Sequence, residues 1–181
     1  MNHQVIALRY AKGLFLSLDK NDLEEVEEQL ADFSSNMEEN SDLRIIFEDP
    51  AISIDKKSII VSNIAKISKL NKNLTNFLLV VLSKNRMALL IHINKLFIGL
   101  IDEYKNRLRL IIKSVAKIDP SYLEEIKEAL SKNTGKSIVA QCVIDKNLLG
   151  GIRLETPSIV FDASIAAKLA SLKNNFLNQI R

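Results

Sequence analysis

Between Val5 and Leu18 the apolar residues Ala7, Leu8, Ala11, Leu14, Phe15 and Leu18 recur on one broad side at helical spacing, with Arg9, Lys12 and Lys20 opposite. This predicts an amphipathic helix. Tyr10 lies at the edge of the stripe. Ile6 and Gly13 lie beyond it, on a flank that a pure surface helix would make polar. A second helix is expected to open at Asn21, which is placed to cap it while Glu24 reaches back, and to bury Leu23, Val26, Leu30, Phe33 and Met37. Its other face, with Glu24, Glu25, Glu27, Glu28 and Asp32, reads as solvated.

A short helix over 42–48 must stop before Pro50, which lacks a backbone donor and restricts the residue ahead of it. Ser53 then caps a fourth helix, ending near Asn71, with Ile60, Ile64 and Ile67 on its buried side. The fifth, 74–84, carries Leu74, Phe77, Leu78, Val81 and Leu82 on one face, yet Leu79 and Val80 make the other apolar too. Such a helix wants neighbours on two sides. The sixth, 87–104, repeats the pattern with Leu90, Ile93, Phe97, Leu100, Ile101 and Tyr104.

The period changes at Arg107. Leu108, Leu110, Ile112, Ala116 and Ile118 alternate with Arg107, Arg109, Lys113 and Lys117, as a half-buried strand requires. Asp119 and Pro120 supply the cap and first-turn proline of a helix that buries Leu123, Ile126 and Leu130 and ends at Gly135. Strands follow over 138–144, 151–156 and 159–161, the last two flanking a Pro157–Ser158 turn. A closing helix capped by Asp162 carries the stripe Ile165, Leu169, Leu172, Phe176 and Ile180. The expected fold is mainly α with a small α/β part. A six-helix N-terminal bundle occupies 1–105, and a C-terminal domain with a small mixed sheet and two helices occupies 106–181.

Composition agrees: 47% apolar residues suit a globular chain, while only 5 Gly and 3 Pro among 181 residues leave long stretches for helices. Cys142, His3 and His92 provide no zinc ligand set, and no stretch reaches the roughly 18 charge-free apolar residues of a membrane span. The first twenty residues, with Arg9 and Lys12, do not read as a secretory signal. A formal charge of +3 is too mild to mark a nucleic-acid binder. The basic strand face lacks interleaved aromatics for stacking bases, so solvent or an acidic protein partner is the better reading.

Chemistry is sparse. Thr134-Gly135-Lys136-Ser137 ends like a phosphate-binding loop, but Leu130 stands where that loop needs glycine, and a strand follows instead of a helix. Gly150-Gly151 reads as a tight turn before a strand. Cys142 is expected as a buried structural thiol on a strand face, and His92 as a helix-packing residue. An RNA-binding helical protein and an enzyme with a scattered site remain weaker alternatives. No catalytic residue, cofactor or metal is expected.

The segment Arg9-Tyr10-Ala11-Lys12-Gly13-Leu14-Phe15 resembles the opening of the delta subunit of bacterial ATP synthase, the oligomycin-sensitivity-conferring protein of mitochondria. Four further segments fall in that family's order. They are Asp49-Pro50-Ala51-Ile52, Asn76-Phe77-Leu78 leading to Lys84-Asn85-Arg86, Phe97 with Asp102-Glu103, and Leu149-Gly150-Gly151-Ile152 followed by Asp162-Ala163-Ser164-Ile165. The resemblance implies a non-catalytic stator subunit that ties the catalytic head to the peripheral stalk. Its bundle would bind the N-terminal helix of a head alpha subunit between the first and fifth helices, with Tyr10, Gly13, Leu78 and Val81 lining the groove and Ile6 and Leu14 at its margins. The C-terminal domain would bind the C-terminal ends of the b subunits, through the region of Gly150, Gly151 and the final helix. No nucleic acid is implied, and membrane association comes only through the complex. The implied location is the cytoplasmic side of the bacterial inner membrane, with a mature organellar protein as the alternative.

Overall fold

The structure is a computed structural model and describes residues 3–156 and 160–170. Its contacts divide the chain into two compact units, Met1–Glu103 and Tyr104–Arg181. The first unit is built from α1 (His3–Ser17), α2 (Leu23–Glu39), α3 (Ser41–Glu48), α4 (Ile54–Ile67), α5 (Lys72–Ser83), a 3-10 turn (Met87–Leu89) and α6 (Leu90–Tyr104). The second contains β1 (Arg107–Ser114), α7 (Pro120–Thr134), β2 (Ser137–Ile144), β3 (Gly151–Glu155) and β4 (Val160–Ser164), with residues 165–170 helical.

The amphipathic stripes converge on one helical core. Ala7, Ala11 and Leu14 of α1, the α2 stripe from Leu23 to Met37, Leu74, Leu78, Val81 and Leu82 of α5, and Leu90, Ile93, Phe97 and Ile101 of α6 are all buried. Each fully buried Leu, Ile or Phe contributes about 1.5–3 kcal/mol relative to exposure. The α4 stripe is rotated from its expected place. Lys57, Val61 and Ala65 face inwards, whereas Ile60 and Ile64 are half-buried and Ile67 is 83% exposed. Lys57 explains the rotation: its buried Nζ donates to the carbonyls of Phe47 at 2.9 Å and Asp49 at 2.7 Å. Both carbonyls lie at the end of α3, where the helix dipole favours a cation.

Helix ends follow local chemistry, with one change of residue in this unit. α2 starts at Leu23 with Asp22 before it, making no side-chain cap, instead of opening on Asn21. Asn40 caps α3 through Asp42 N and Leu43 N, and Asn71 caps α5 through Asn73 N. Ser53 precedes α4 as expected but makes no side-chain cap bond. Past α5, Asn85 adopts φ 53, its N–H donates to Leu82 O at 2.8 Å, and Arg86 N–H donates to Val81 O at 3.0 Å. This pair of bonds is the Schellman closure, with asparagine in the left-handed position.

The sheet order is β2-β1-β3-β4, with β1 parallel to β2 and antiparallel to β3, and β3 antiparallel to β4. β1 ends at Ser114, short of the expected alternation to Ile118. Register sets Leu108, Leu110 and Ile112 on one face with Ala140, Cys142, Leu154 and Phe161, while Arg107, Arg109 and Lys113 share the other with Arg153 and Glu155. Lys113 Nζ meets Glu155 at 2.9 Å on that polar face. Asp119 caps α7 by accepting from Ser121 N, and Gly135 at φ 68 closes it. The closing helix begins after β4 with Ser164, whose Oγ accepts from Ala167 N, instead of with Asp162, which lies within β4. Pro157, Ser158, Ile159, Leu172, Phe176 and Ile180 lie outside the described residues.

Candidate functional site

Antiparallel placement of α1 and α5 leaves a solvent-open groove of about 610 Å³ lined by Tyr10, Gly13, Leu14, Phe77 and Val80, with Arg9 and Arg86 among the remaining lining residues. Ser17, Asn73 and Asn76 line its other end, where Asn73 Nδ2 donates to Ser17 O at 3.2 Å. The floor comes from the outer flanks of two helices whose inner flanks fill the core. Residues 77 and 80 stand one turn apart on α5, and at 100° per residue they fall to one side of the stripe Leu74, Leu78 and Val81, with Phe77 at its edge. Val80 is 51% exposed in consequence. A Cβ built on Gly13 meets nothing within 4 Å, so this stretch of α1 is bare backbone facing open space.

Tyr10 organises the groove. Its ring meets Phe77 edge-on, with centroids 6.3 Å apart and planes at 69°. The Arg86 guanidinium lies over the same ring, 5.4 Å from its centroid, and Nη1 donates to the phenol oxygen at 3.0 Å. The Schellman turn at Asn85 aims Arg86 there. Two segments 76 positions apart, Arg9-Tyr10-Ala11 and Lys84-Asn85-Arg86, thus meet at one point.

Of the residues singled out from the sequence, Tyr10, Gly13 and Leu14 line the groove, although Leu14 is almost wholly buried. Leu78 and Val81 are completely buried and belong to the core, and half-buried Ile6 is not among the lining residues. Phe77 and Val80 take the place expected for Leu78 and Val81. The apolar width of the fifth helix signals the groove, but Phe77 and Val80 lie at the edge of its stripe, and the stripe alone does not single them out. Sequence reasoning also left Arg86 out, because nothing in its spacing ties it to Tyr10.

Other candidate chemistry resolves into structure. Thr134-Gly135 is the C-terminal end of α7, where Gly135 N–H donates to Ser131 O at 2.8 Å, so no helix N-terminus faces that loop. Cys142 is exposed on the edge strand β2, not buried. His92 is exposed on α6 instead of packing between helices. Gly150 and Gly151 have a backbone reason: φ values of 149 and 82, and a Cβ on Gly151 would come 2.6 Å from the carbonyl oxygen of Ala163. Ile165 N–H donates to Gly150 O at 3.0 Å, so this glycine pair lets the start of β3 close against the end of β4. Among the described residues no group of His, Cys, Asp and Glu could hold a metal, and no helix is long and apolar enough to cross a membrane.

One chain thus carries a helical unit with an aromatic-floored open groove and a unit built on a small mixed sheet, an arrangement suited to binding other proteins and without a catalytic cluster among the described residues. The family model "ATP synthase delta (OSCP) subunit" matches residues 6–176. The chain is 32% identical over 173 residues to the ATP synthase subunit delta of Trichlorobacter lovleyi, covering 95% of this chain and 96% of that protein. It is 29% identical over 175 residues to the subunit delta of Citrifermentans bemidjiense, covering 96% and 97%. A chain of the Toxoplasma gondii mitochondrial ATP synthase hexamer has the same fold, with TM-score 0.70 and 21% identity over 94% of this chain and 97% of that one. The chain belongs to the ATP synthase delta (OSCP) subunit family. It is a structural, non-catalytic component of the peripheral stalk of the F-type ATP synthase and links the catalytic head to the stator.

Proposed function

We propose that residues 1–105 act as a six-helix bundle that grips the N-terminal helix of a head alpha subunit in the α1/α5 groove, and that residues 106–181 bind the C-terminal ends of the b subunits. The observation that carries the first half is the groove itself. Phe77, Val80 and the Tyr10 ring offer apolar anchoring area, and bare Gly13 permits the close backbone approach that helix-in-groove recognition uses. In this reading Tyr10, Gly13 and Leu14 contact the partner directly, Leu78 and Val81 support the floor from below, and Ile6 borders it.

For the second half, support comes from the apolar sheet face. A hollow of about 260 Å³ there is lined by Leu108, Leu110, Leu130, Leu154, Thr156 and Phe161, and Phe161 is largely exposed. Gripping two partners makes rebinding at either one effectively intramolecular, so modest separate affinities suffice against rotor torque. The subunit then sits on the cytoplasmic side of the bacterial inner membrane, held there only through the complex. The test is to titrate the full chain with a peptide of the cognate alpha-subunit N-terminus, following induced helicity. Saturable binding that Gly13→Trp abolishes supports the reading, and absence of saturation refutes it.

A further inference from the structure

We propose that Arg86, together with Arg9, makes the α1/α5 groove selective for an amphipathic helix bearing carboxylates beside its apolar stripe. This rests on the groove reading and adds to it the charge of the occupant.

The groove's apolar floor is bordered by two guanidinium groups, and among the described residues no Asp or Glu lines it. Arg86 is held in place before any partner arrives. Its backbone is fixed by the bond from its N–H to Val81 O, and its side chain by the stack on Tyr10 and the 3.0 Å bond to the phenol oxygen. That phenol bond comes from one of five guanidinium N–H donors, and a carboxylate suits the others in a two-point contact. The ordering of the arginine side chain, which weakens many ion pairs between long side chains, is thus largely complete in the free protein. Arg86 is also half-buried, so its field is less screened than that of a fully solvated cation.

Arg9 is exposed and stands one turn before Gly13 on the same flank of α1. It extends the positive border along the rim. At the far end Ser17, Asn73 and Asn76 are polar but uncharged. A carboxylate on the incoming helix therefore selects the Arg86 end, fixing the direction in which the helix lies as well as its affinity. Charge complementarity of this kind governs partner choice and association rate more than the apolar area does.

The test uses the full chain and two peptides: the cognate alpha-subunit N-terminal segment and the same segment with every Asp and Glu replaced by Asn and Gln. Fluorescence anisotropy gives Kd at low and raised ionic strength, for the wild type, Arg9→Met, Arg86→Met and the double variant. Methionine keeps an apolar stem over Tyr10, and the exposed Arg9→Met supplies a readout independent of packing. Wild-type chain should bind the acidic peptide about tenfold more tightly than the amidated one, with the advantage shrinking as salt rises. In the double variant that advantage should vanish. Equal affinities for both peptides on the wild type, with Gly13→Trp still abolishing binding, would leave the groove standing and overturn the charge selection. A peptide that binds regardless of Gly13→Trp would overturn both, whereas an alpha-subunit segment with no carboxylate beside its apolar stripe would overturn the charge selection alone.

Discussion

Asp119 illustrates how a single side chain fixes an element and couples it to pH. Its carboxylate accepts from the Ser121 hydroxyl and from Ser121 N–H, and those bonds hold its pKa below the ordinary value of 3.8. A carboxylate with a depressed folded-state pKa stabilises the fold above its unfolded value and loses that contribution as the pH falls through the folded one. The difference in urea midpoint between wild type and Asp119→Ala, read on the transition of the second unit, should therefore be widest at neutral pH. Below pH 3.8 it should shrink. A constant difference would mean that the cap does not act through its charge. Asp119-Pro120 was legible from the sequence because cap and proline signals act within one turn. Ser164 as the cap of the closing helix was not legible, since Asp162 offers the same chemistry two residues earlier and only strand pairing with Gly151 decides between them.

At the scale of elements, α5 carries the main lesson. Its composition announces two apolar faces, but periodicity alone leaves open which is core. Packing against α4 and α1 buries Leu78 and Val81, leaving Phe77 half-buried and Val80 exposed. Leu78→Ala should accordingly lower stability by about 2–5 kcal/mol in chemical denaturation. Val80→Ala should shift stability by no more than about 0.5 kcal/mol yet weaken binding of the alpha-subunit peptide. The reverse ranking would return Leu78 to the groove. Gly13 makes a prediction of opposite sign for its two roles. Because open space surrounds its Cβ position and the residue is helical, Gly13→Ala should stabilise the free chain by up to about 1 kcal/mol. The same methyl group should reduce peptide affinity by narrowing the groove, and an unchanged Kd would remove Gly13 from the contact surface. The rotation of α4 has a similar origin. No stripe analysis places a lysine inwards, and only the carbonyls of Phe47 and Asp49 make Lys57 a satisfied interior residue.

For the whole molecule, the segments that suggested the family in the sequence turn out to be meeting points. Tyr10 bonds to Arg86, Asp49 caps its own turn through Ala51 N and accepts from buried Lys57, and Leu149-Gly150-Gly151-Ile152 closes on Asp162-Ala163-Ser164-Ile165. The Tyr10–Arg86 pair in particular joins stretches 76 positions apart that periodicity treats one at a time. That is why the order of the helices was readable from the chain while the composition of the groove was not. A linking subunit must pass torque between head and stator without chemistry of its own, and the central claim is that the α1/α5 groove is one of its two grips. The most direct measurement is ATP-driven proton pumping, relative to ATP hydrolysed, by membranes carrying the wild-type subunit or its Gly13→Trp variant. Loss of pumping with hydrolysis retained, because the head turns free of the stalk, is the predicted result. Full pumping by a folded, incorporated Gly13→Trp subunit would contradict it.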